Sequence, residues 1–477
     1  MKHAWRAVVF ASILSGLSVL ILSAADAGIT FIGMGFVSAK LLDRSGLDRQ
    51  AICQSKDSTV CIDQATLGGF GSALAYTGHD NVFVATPDRG PFDGQTDVPY
   101  LDRFHFLHIT VNLTAAFPNI TTTLLDTRFL KDEFDRNFVG AACAFESDLD
   151  ECPFEPNRRT GLRFDPEGVS ISREGTFFVS DEYGPSIFEF DRQGHLLKRI
   201  PVPAKFLIAH PTGTVDNDGN SLELYPAFNT SGRQANRGME GLAITPDGRK
   251  LVGIMQNALI QDNGLNAAIP PGRLGVNNRI FTFDLKTGEH HEYVYVLDAI
   301  TQGRGVNEIL AINDHEFLVL ERDNRSRRPT PPNDVQTPNL KRLYKIDLNA
   351  PGLSDVSNVN NLPAGSLGSI VPVTKKLFLD LLDPAYKVDA TQTIRDVIAE
   401  KIEGIAWGPD LPDGRHVLYV ISDNDLFTGN ELIPDGRPTQ IYAFAVDGSA
   451  AGANIRFERQ ELPGPLFPPG QVKKALK

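Results

Sequence analysis

Basic residues are in the minority in this 477-residue chain: 46 Lys and Arg stand against 59 Asp and Glu, leaving a net charge of −13. That deficit argues against a nucleic-acid partner, because neutralising phosphates needs a basic face. Polyanions would also be repelled unless a bound cation or a local basic patch intervened. Cysteine is scarce at four residues with no C-x2-C knuckle among them, which disfavours a thiolate metal site. The chain has no G-x-S-x-G elbow, no R-H-G-x-R-x-P run, no H-E-x-x-H pair, no P-loop and no G-x-G-x-x-G. Serine hydrolases of the elbow type, histidine acid phosphatases, zincins, nucleotide hydrolases and dinucleotide enzymes are therefore not expected. Neither a G-x-y period nor a sustained heptad occurs, which excludes collagen and coiled coil.

Apolar residues and turn residues are what the chain does have. Hydrophobic residues make up 42%, enough to build a core that a disordered chain would lack. With 42 Gly, 31 Pro and more Phe (29) than Tyr (10) and Trp (2) together, the composition favours short strands joined by many turns. One long apolar run, Ala7 to Ser23, follows Lys2 and Arg6 and precedes the small-x-small pattern Ala25-Asp26-Ala27. Residues 1–27 read as a cleaved export signal. As a membrane anchor the run is short, and it contains Ser12, Gly16 and Ser18. Residues 28–477 are expected to form one exported domain, secreted or periplasmic, monomeric and without stable membrane insertion after cleavage. The cysteines fall in two close pairs, Cys53 with Cys61 and Cys143 with Cys152, and local disulfides fit an oxidising compartment.

A degenerate repeat runs through the mature chain. Four copies begin with an acidic residue, alternate through a strand, turn, alternate again and end in a polar cluster. They lead with Glu167, Glu240, Glu308 and Glu403, and a weaker earlier copy has Ser72 at that place. Each copy reads as a β-hairpin around a turn rich in Gly, Asp, Asn or Pro. Third strands follow, such as Ser186 to Asp191, Arg279 to Asp284, Leu343 to Asp347 and Gln440 to Ala445. Such ladders predict an all-β fold, a β-propeller with inserted loops. Dividing the 450 residues after the signal by six gives 75 per blade, so six blades are expected, with five or seven also compatible.

In an antiparallel hairpin, the residue before the first strand and those after the second lie at one end. Glu167 is thus placed beside Asp181 and Glu182, Glu240 beside Gln256 and Asn257, Glu308 beside Glu321 and Arg322, and Glu403 beside Asp423 and Asn424. With the leading strands innermost, these clusters converge on one mouth of the channel. Carboxylates gathered in that way repel one another unless protonated or bridged by a cation, and oxygen-rich sets suit Ca²⁺. The competing reading has each Glu merely hold exposed strand-end amides.

Several segments together resemble the family known as esterase-like activity of phytase, or phytase-like. They are Arg233 to Gly248, Asp165-Pro-Glu-Gly with Val179 to Pro185, Phe317 to Asp323, and Ile402 to Gly414. The resemblance spans roughly residues 65–450 and implies an exported propeller-like protein with hydrolytic activity. The leading expectation is a metal-assisted hydrolase of phosphomonoesters such as phytate, taking a small anionic substrate at an acidic channel mouth. Glu167, Asp181, Glu182 and Glu240 are the expected catalytic residues. Glu167, Asp181, Glu240, Glu308, Glu403 and Asp423 are the expected Ca²⁺ ligands. Arg89, Arg322, Asn257 and Asn424 are the expected substrate contacts. The alternatives are a non-catalytic envelope propeller binding a sugar, lipid or protein, and a metal-dependent carboxylic ester or lactone hydrolase.

Overall fold

The computed structural model describes residues 28–140, 162–207, 231–265, 274–298, 304–326, 340–388, 398–430 and 435–476, apart from 56, 95, 235, 463 and 468. Strand β1 (Ile29–Val37) leads into a short hairpin, β2 (Ala51–Cys53) and β3 (Cys61–Asp63), whose facing cysteines are joined as the disulfide Cys53–Cys61. Five four-stranded antiparallel sheets account for the other strands. The first blade is β4 (Ala73–Tyr76), β5 (Val82–Thr86), β6 (Arg103–Val111) and β7 (Ile120–Phe129). The second is β8 (Pro166–Ile171), β9 (Phe177–Asp181), β10 (Ile187–Phe190) and β11 (Leu196–Ile200). The third is β12 (Met239–Ile244), β13 (Lys250–Met255), β14 (Asn277–Asp284) and β15 (His290–Val296). The fourth is β16 (Gly305–Ala311), β17 (Glu316–Arg322), β18 (Lys341–Asp347) and β19 (Lys376–Asp380). The fifth takes β20 (Ile402–Trp407), β21 (His416–Ser422) and β22 (Thr439–Val446), and β1 pairs onto its outer edge.

The innermost strands β4, β8, β12, β16 and β20 are neighbours in that order, and β20 returns to β4, closing the ring. The fold is a β-propeller of five blades rather than six, inside the expected range. Among the described residues no sixth four-stranded sheet forms. Described residues 100–140 supply β6 and β7, and described residues 350–388 supply a loop and β19. Each blade is joined to the next by apolar side chains on both sheet faces, as expected of strands buried on two sides. The abundant Phe fill one such joint, where Phe104, Phe138, Phe164, Phe177, Phe188 and Phe190 pack between the first and second blades. Cys143 and Cys152 lie outside the described residues.

Four inner strands start with a break in register. The shift lies between Pro166 and Val169, Met239 and Gly241, Val306 and Glu308, and Ile402 and Ile405. A bulge re-aims one side chain out of the pleat. The residues inside these breaks include Glu167, Glu240, Asn307 and Glu403, all of which border one cavity at the channel mouth. Gly168 and Gly241 follow two of them, where a Cβ would come 2.6 Å from the backbone N of Leu242 and of Ile309 on the next inner strand. Only glycine lets neighbouring blades approach so closely there. At the other end, the apolar inner-strand residues Leu74, Val169, Leu242, Ile309 and Ile405 line a chamber of about 110 Å³. The C-terminal segment crosses this end: Gln460 donates to the carbonyl of Ile171 at 2.8 Å and Glu458 N to that of Ile312 at 2.9 Å.

Candidate functional site

The mouth cavity measures about 170 Å³ and its lining is almost wholly polar: Asp88, Arg89, Asp93, Glu167, Glu182, Asn236, Arg237, Glu240, Gln256, Asn307, Arg322, Asn324, Lys401 and Glu403. On the side of the second blade, carboxylate oxygens of Asp165, Glu167 and Glu182 all lie within 4.8 Å of one another. Arg89, from the loop after β5, clamps this group. Its Nη1 donates to Asp165 Oδ2 at 2.9 Å and to Glu182 Oε2 at 3.4 Å, and its Nη2 to Asp93 at 2.9 Å. Glu167 forms no hydrogen bond among the described residues, and Glu182 Oε1 is buried without one.

The third blade contributes Glu240. Two amides converge on its Oε1, Gln256 at 2.6 Å and Asn307 of the fourth blade at 2.9 Å, while Oε2 is buried with no partner. Glu403 on the fifth blade accepts from Arg322, which also donates to Asn324. Lys401, two residues before Glu403, is paired with Asp425, and oxygens of Asp425, Asp88 and Asp423 lie within 4.8 Å of each other.

Burial holds Glu167 and Glu240 well above the usual carboxylate range, and the neighbouring carboxylates push each further up. For Glu167 the foremost neighbour is Glu240; for Glu240 it is Glu182. Burial also raises Asp165 to about 6 against the opposing charge of Arg89, and Asp88 to about 7 against Lys401 and Arg89. A site with this many acids favours protons or cations, which is the chemistry of a hard-cation site.

Of the residues expected from sequence, Glu167, Glu182, Glu240, Glu403, Arg89 and Arg322 border the cavity. Five others do not. Asp181 faces the backbone, accepting from the N–H groups of Asp165, Tyr183 and Gly184, and so shapes the turn after β9. Burial raises it to about 8, and those backbone donors oppose the rise. Asn257 donates to the carbonyl of Arg304. Asn424 accepts from Gly69 and Leu426 and donates to Arg437, bracing loops of the fifth and first blades. Asp423 is not part of the lining and lies beside Asp88, which is, and Asp425.

Glu308 is the clearest correction. Its bulge presents Asn307 to the mouth, so Glu308 falls one residue further on, at the place Gly241 takes in the third blade. Its Oε1 accepts from the N–H groups of Leu242 and Ile309 at 2.9 Å, and it borders the lower chamber. Arg237, Lys401, Asp88, Asp93 and Asp165 were missed as site residues. A basic residue two or three positions ahead of a leading Glu was the available signal for Arg237 and Lys401.

A curated protein of Arthroderma benhamiae, named only as an uncharacterized secreted protein, is 28% identical over 454 residues, covering 80% of this chain and 86% of its own length. Among solved structures, the β-propeller domain of Myceliophteria thermophila Cps50 (Swd1) is matched at 9% identity and a TM-score of 0.28, covering 79% of this chain and 83% of that one. A Saccharomyces cerevisiae assembly of Dbp5 with Nup159, Gle1, IP6 and ADP is matched at 10% identity and a TM-score of 0.25, covering 88% and 95%. At such scores neither likeness bears on the fold, which rests on the sheet order itself. The family model described as esterase-like activity of phytase matches residues 65–426, and the chain belongs to that phytase-like family.

Proposed function

We propose that this protein is an exported hydrolase of phosphomonoesters such as phytate, assisted by a divalent cation, for which calcium is the best candidate. The observation that carries the reading is one small cavity holding three carboxylates, those of Glu167, Glu182 and Glu240, each with an oxygen that accepts no hydrogen bond among the described residues. An all-oxygen set of this kind fits a hard cation, and Asp165, Glu167 and Glu182 would hold it. Such a cation, when bound, polarises a phosphoryl oxygen and lowers the pKa of its water.

The chain's own residues supply the rest. Gln256 and Asn307 fix Glu240 so that its bare Oε2 can accept the proton of an attacking water. Arg322, held against Glu403, adds positive charge beside the incoming group. A cavity of about 170 Å³ admits one phosphoryl group with its water, so the remainder of a polyphosphorylated ring would stay outside. Export is supported by the N-terminal signal pattern and by the relative's description as secreted. No helix among the described residues is long and apolar enough to cross a membrane.

Turnover of p-nitrophenyl phosphate and phytate, beside p-nitrophenyl acetate, should be followed with calcium and after EDTA. Phosphate ester hydrolysis that disappears with EDTA is the expected result. Hydrolysis of the acetate alone would move the assignment to carboxylic esters, and turnover of neither would leave a binding propeller.

A further inference from the structure

Four cations border the mouth cavity, and three are held by carboxylates within hydrogen-bond distance. Arg89 is held by Asp165, Glu182 and Asp93, Arg322 by Glu403, and Lys401 by Asp425. Arg237 differs. Its nearest carboxylate oxygen, Glu182 Oε1, stands 4.0 Å away, and its guanidinium donates to the carbonyl of the preceding Asn236 at 2.6 Å. No other side-chain hydrogen bond holds it among the described residues. The side chain is 13% exposed, so solvent screens it little, and its one ion-pair contact, with Glu182, is longer than those of the other three cations. A mostly buried cation whose only paired carboxylate is that distant, and is shared with Arg89, leaves a place for a second anion.

We propose that Arg237 is the oxyanion-binding residue of the mouth, taking a single phosphoryl group or inorganic phosphate on the open edge of its guanidinium. The assignment deepens the hydrolase reading and rests on it for the catalytic meaning of the subsite. It also shifts the anion contact from Arg89, whose two terminal nitrogens already donate to Asp165, Glu182 and Asp93. A planar guanidinium suits two oxygens of a tetrahedral anion at once, which an ammonium cannot match. The carboxylates of Glu167, Glu182 and Glu240 would repel the same anion. Calcium at those carboxylates must therefore raise phosphate affinity, and phosphate must raise calcium affinity by the same factor.

The test is calorimetric titration of inorganic phosphate, at sub-millimolar concentrations, into the full mature protein in calcium and in EDTA. The proteins are wild type, Arg237→Gln and Arg237→Lys, each first checked for folding and for a calcium-dependent rise in melting temperature. Arg237→Gln should bind phosphate at least about tenfold more weakly in calcium, as loss of charged hydrogen bonds implies, with the calcium response kept. Arg237→Lys retains the charge but not the fork and should fall between; it decides the matter if the Gln variant does not fold. Wild-type protein that ignores phosphate in calcium overturns the assignment, as do variants that bind it like wild type. Phosphate binding that depends on Arg237 without turnover of any ester would sink the hydrolase reading and leave this subsite standing.

Discussion

Asn307 of the fourth blade donates its amide to Glu240 of the third, 2.9 Å from Nδ2 to Oε1, on the same oxygen that Gln256 reaches at 2.6 Å. Both donors are neutral, so they orient the carboxylate without cancelling its charge, and they leave Oε2 without a hydrogen-bond partner. The contact also joins two blades at the rim of the cavity. Replacing Asn307 with Leu removes one donor at similar bulk. A hydrogen bond to a charged group contributes about 1.5–3 kcal/mol, so kcat on a phosphomonoester should fall by about tenfold or more with KM little changed. Steady-state kinetics would show it; a rise in KM at constant kcat would assign Asn307 to substrate binding instead.

Calcium should stabilise the folded chain, because only the folded state gathers Asp165, Glu167 and Glu182 within 4.8 Å. At a hundredfold excess over Kd the gain is about 2.7 kcal/mol. Glu167→Gln removes a charged ligand and should shrink the rise in melting temperature between EDTA and calcium. Glu308→Gln is the matched control. Its side chain borders the lower chamber and keeps an oxygen to accept from Leu242 and Ile309, so the calcium increment should be unchanged. A flat response in wild type would remove the cation from the mechanism.

The pH dependence has a definite sign. Asp165 and Asp88 titrate at about 6 and about 7 in the fold, above the ordinary carboxylate value, so the folded state holds protons that the unfolded chain releases. Their contribution to stability is fully present below about pH 4 and is lost as pH rises through about 6 to 7. Glu167 and Glu240 shift in the same direction. In EDTA the melting temperature should therefore decline from pH 5 to pH 8, and calcium should make the decline shallower. Melting that climbs over that interval without metal would contradict the crowding of these acids.

The hairpins were readable because period-two alternation around Gly and Asp turns survives loop insertion, as at Glu167 to Asp181 and Glu240 to Met255. Blade number was not, since the fifth blade borrows β1 from the opposite end of the chain, and no local pattern announces that pairing. The acidic mouth was readable from the leading Glu residues, but the bulges that aim them were not. A bulge adds one residue to one strand, and that single step moved Glu308 out of the mouth and put Asn307 in. Asp181, Asn257 and Asn424 looked like ligands because polar residues after a strand serve backbone turns and substrates alike. Arg237 and Lys401 escaped notice because an arginine or lysine beside a strand is usually solvated, whereas here both line the cavity where the blades meet.

The closing strand yields the last prediction. Strand β1 runs antiparallel to β22 with paired residues from Ile29 with Val446 to Val37 with Thr439, and it contributes the buried Ile29, Met34 and Val37. Its glycines let it lie against the first blade: a Cβ on Gly35 would stand 2.6 Å from the carbonyl oxygen of Ile120, and one on Gly33 2.7 Å from Val111. Signal removal after Ala27 leaves Gly28 first, immediately before this strand, and Gly28 already accepts from Asp447 N at 2.7 Å. Cleavage further along would cut into the seam that closes the ring. Each buried apolar side chain contributes about 1.5–3 kcal/mol, so loss of three is comparable with the whole stability of a typical domain, about 5–15 kcal/mol. It would also expose β22, buried along its length, as a sheet edge open to aggregation. Intact-mass analysis of the exported protein should find Gly28 at its N-terminus. A form beginning at residue 38 should fail to give a cooperative melt, and Gly35→Ala should lower the melting temperature by overpacking, at a cost of about 1–3 kcal/mol. A truncated form that melts like the full mature chain would mean that the fifth blade closes without β1.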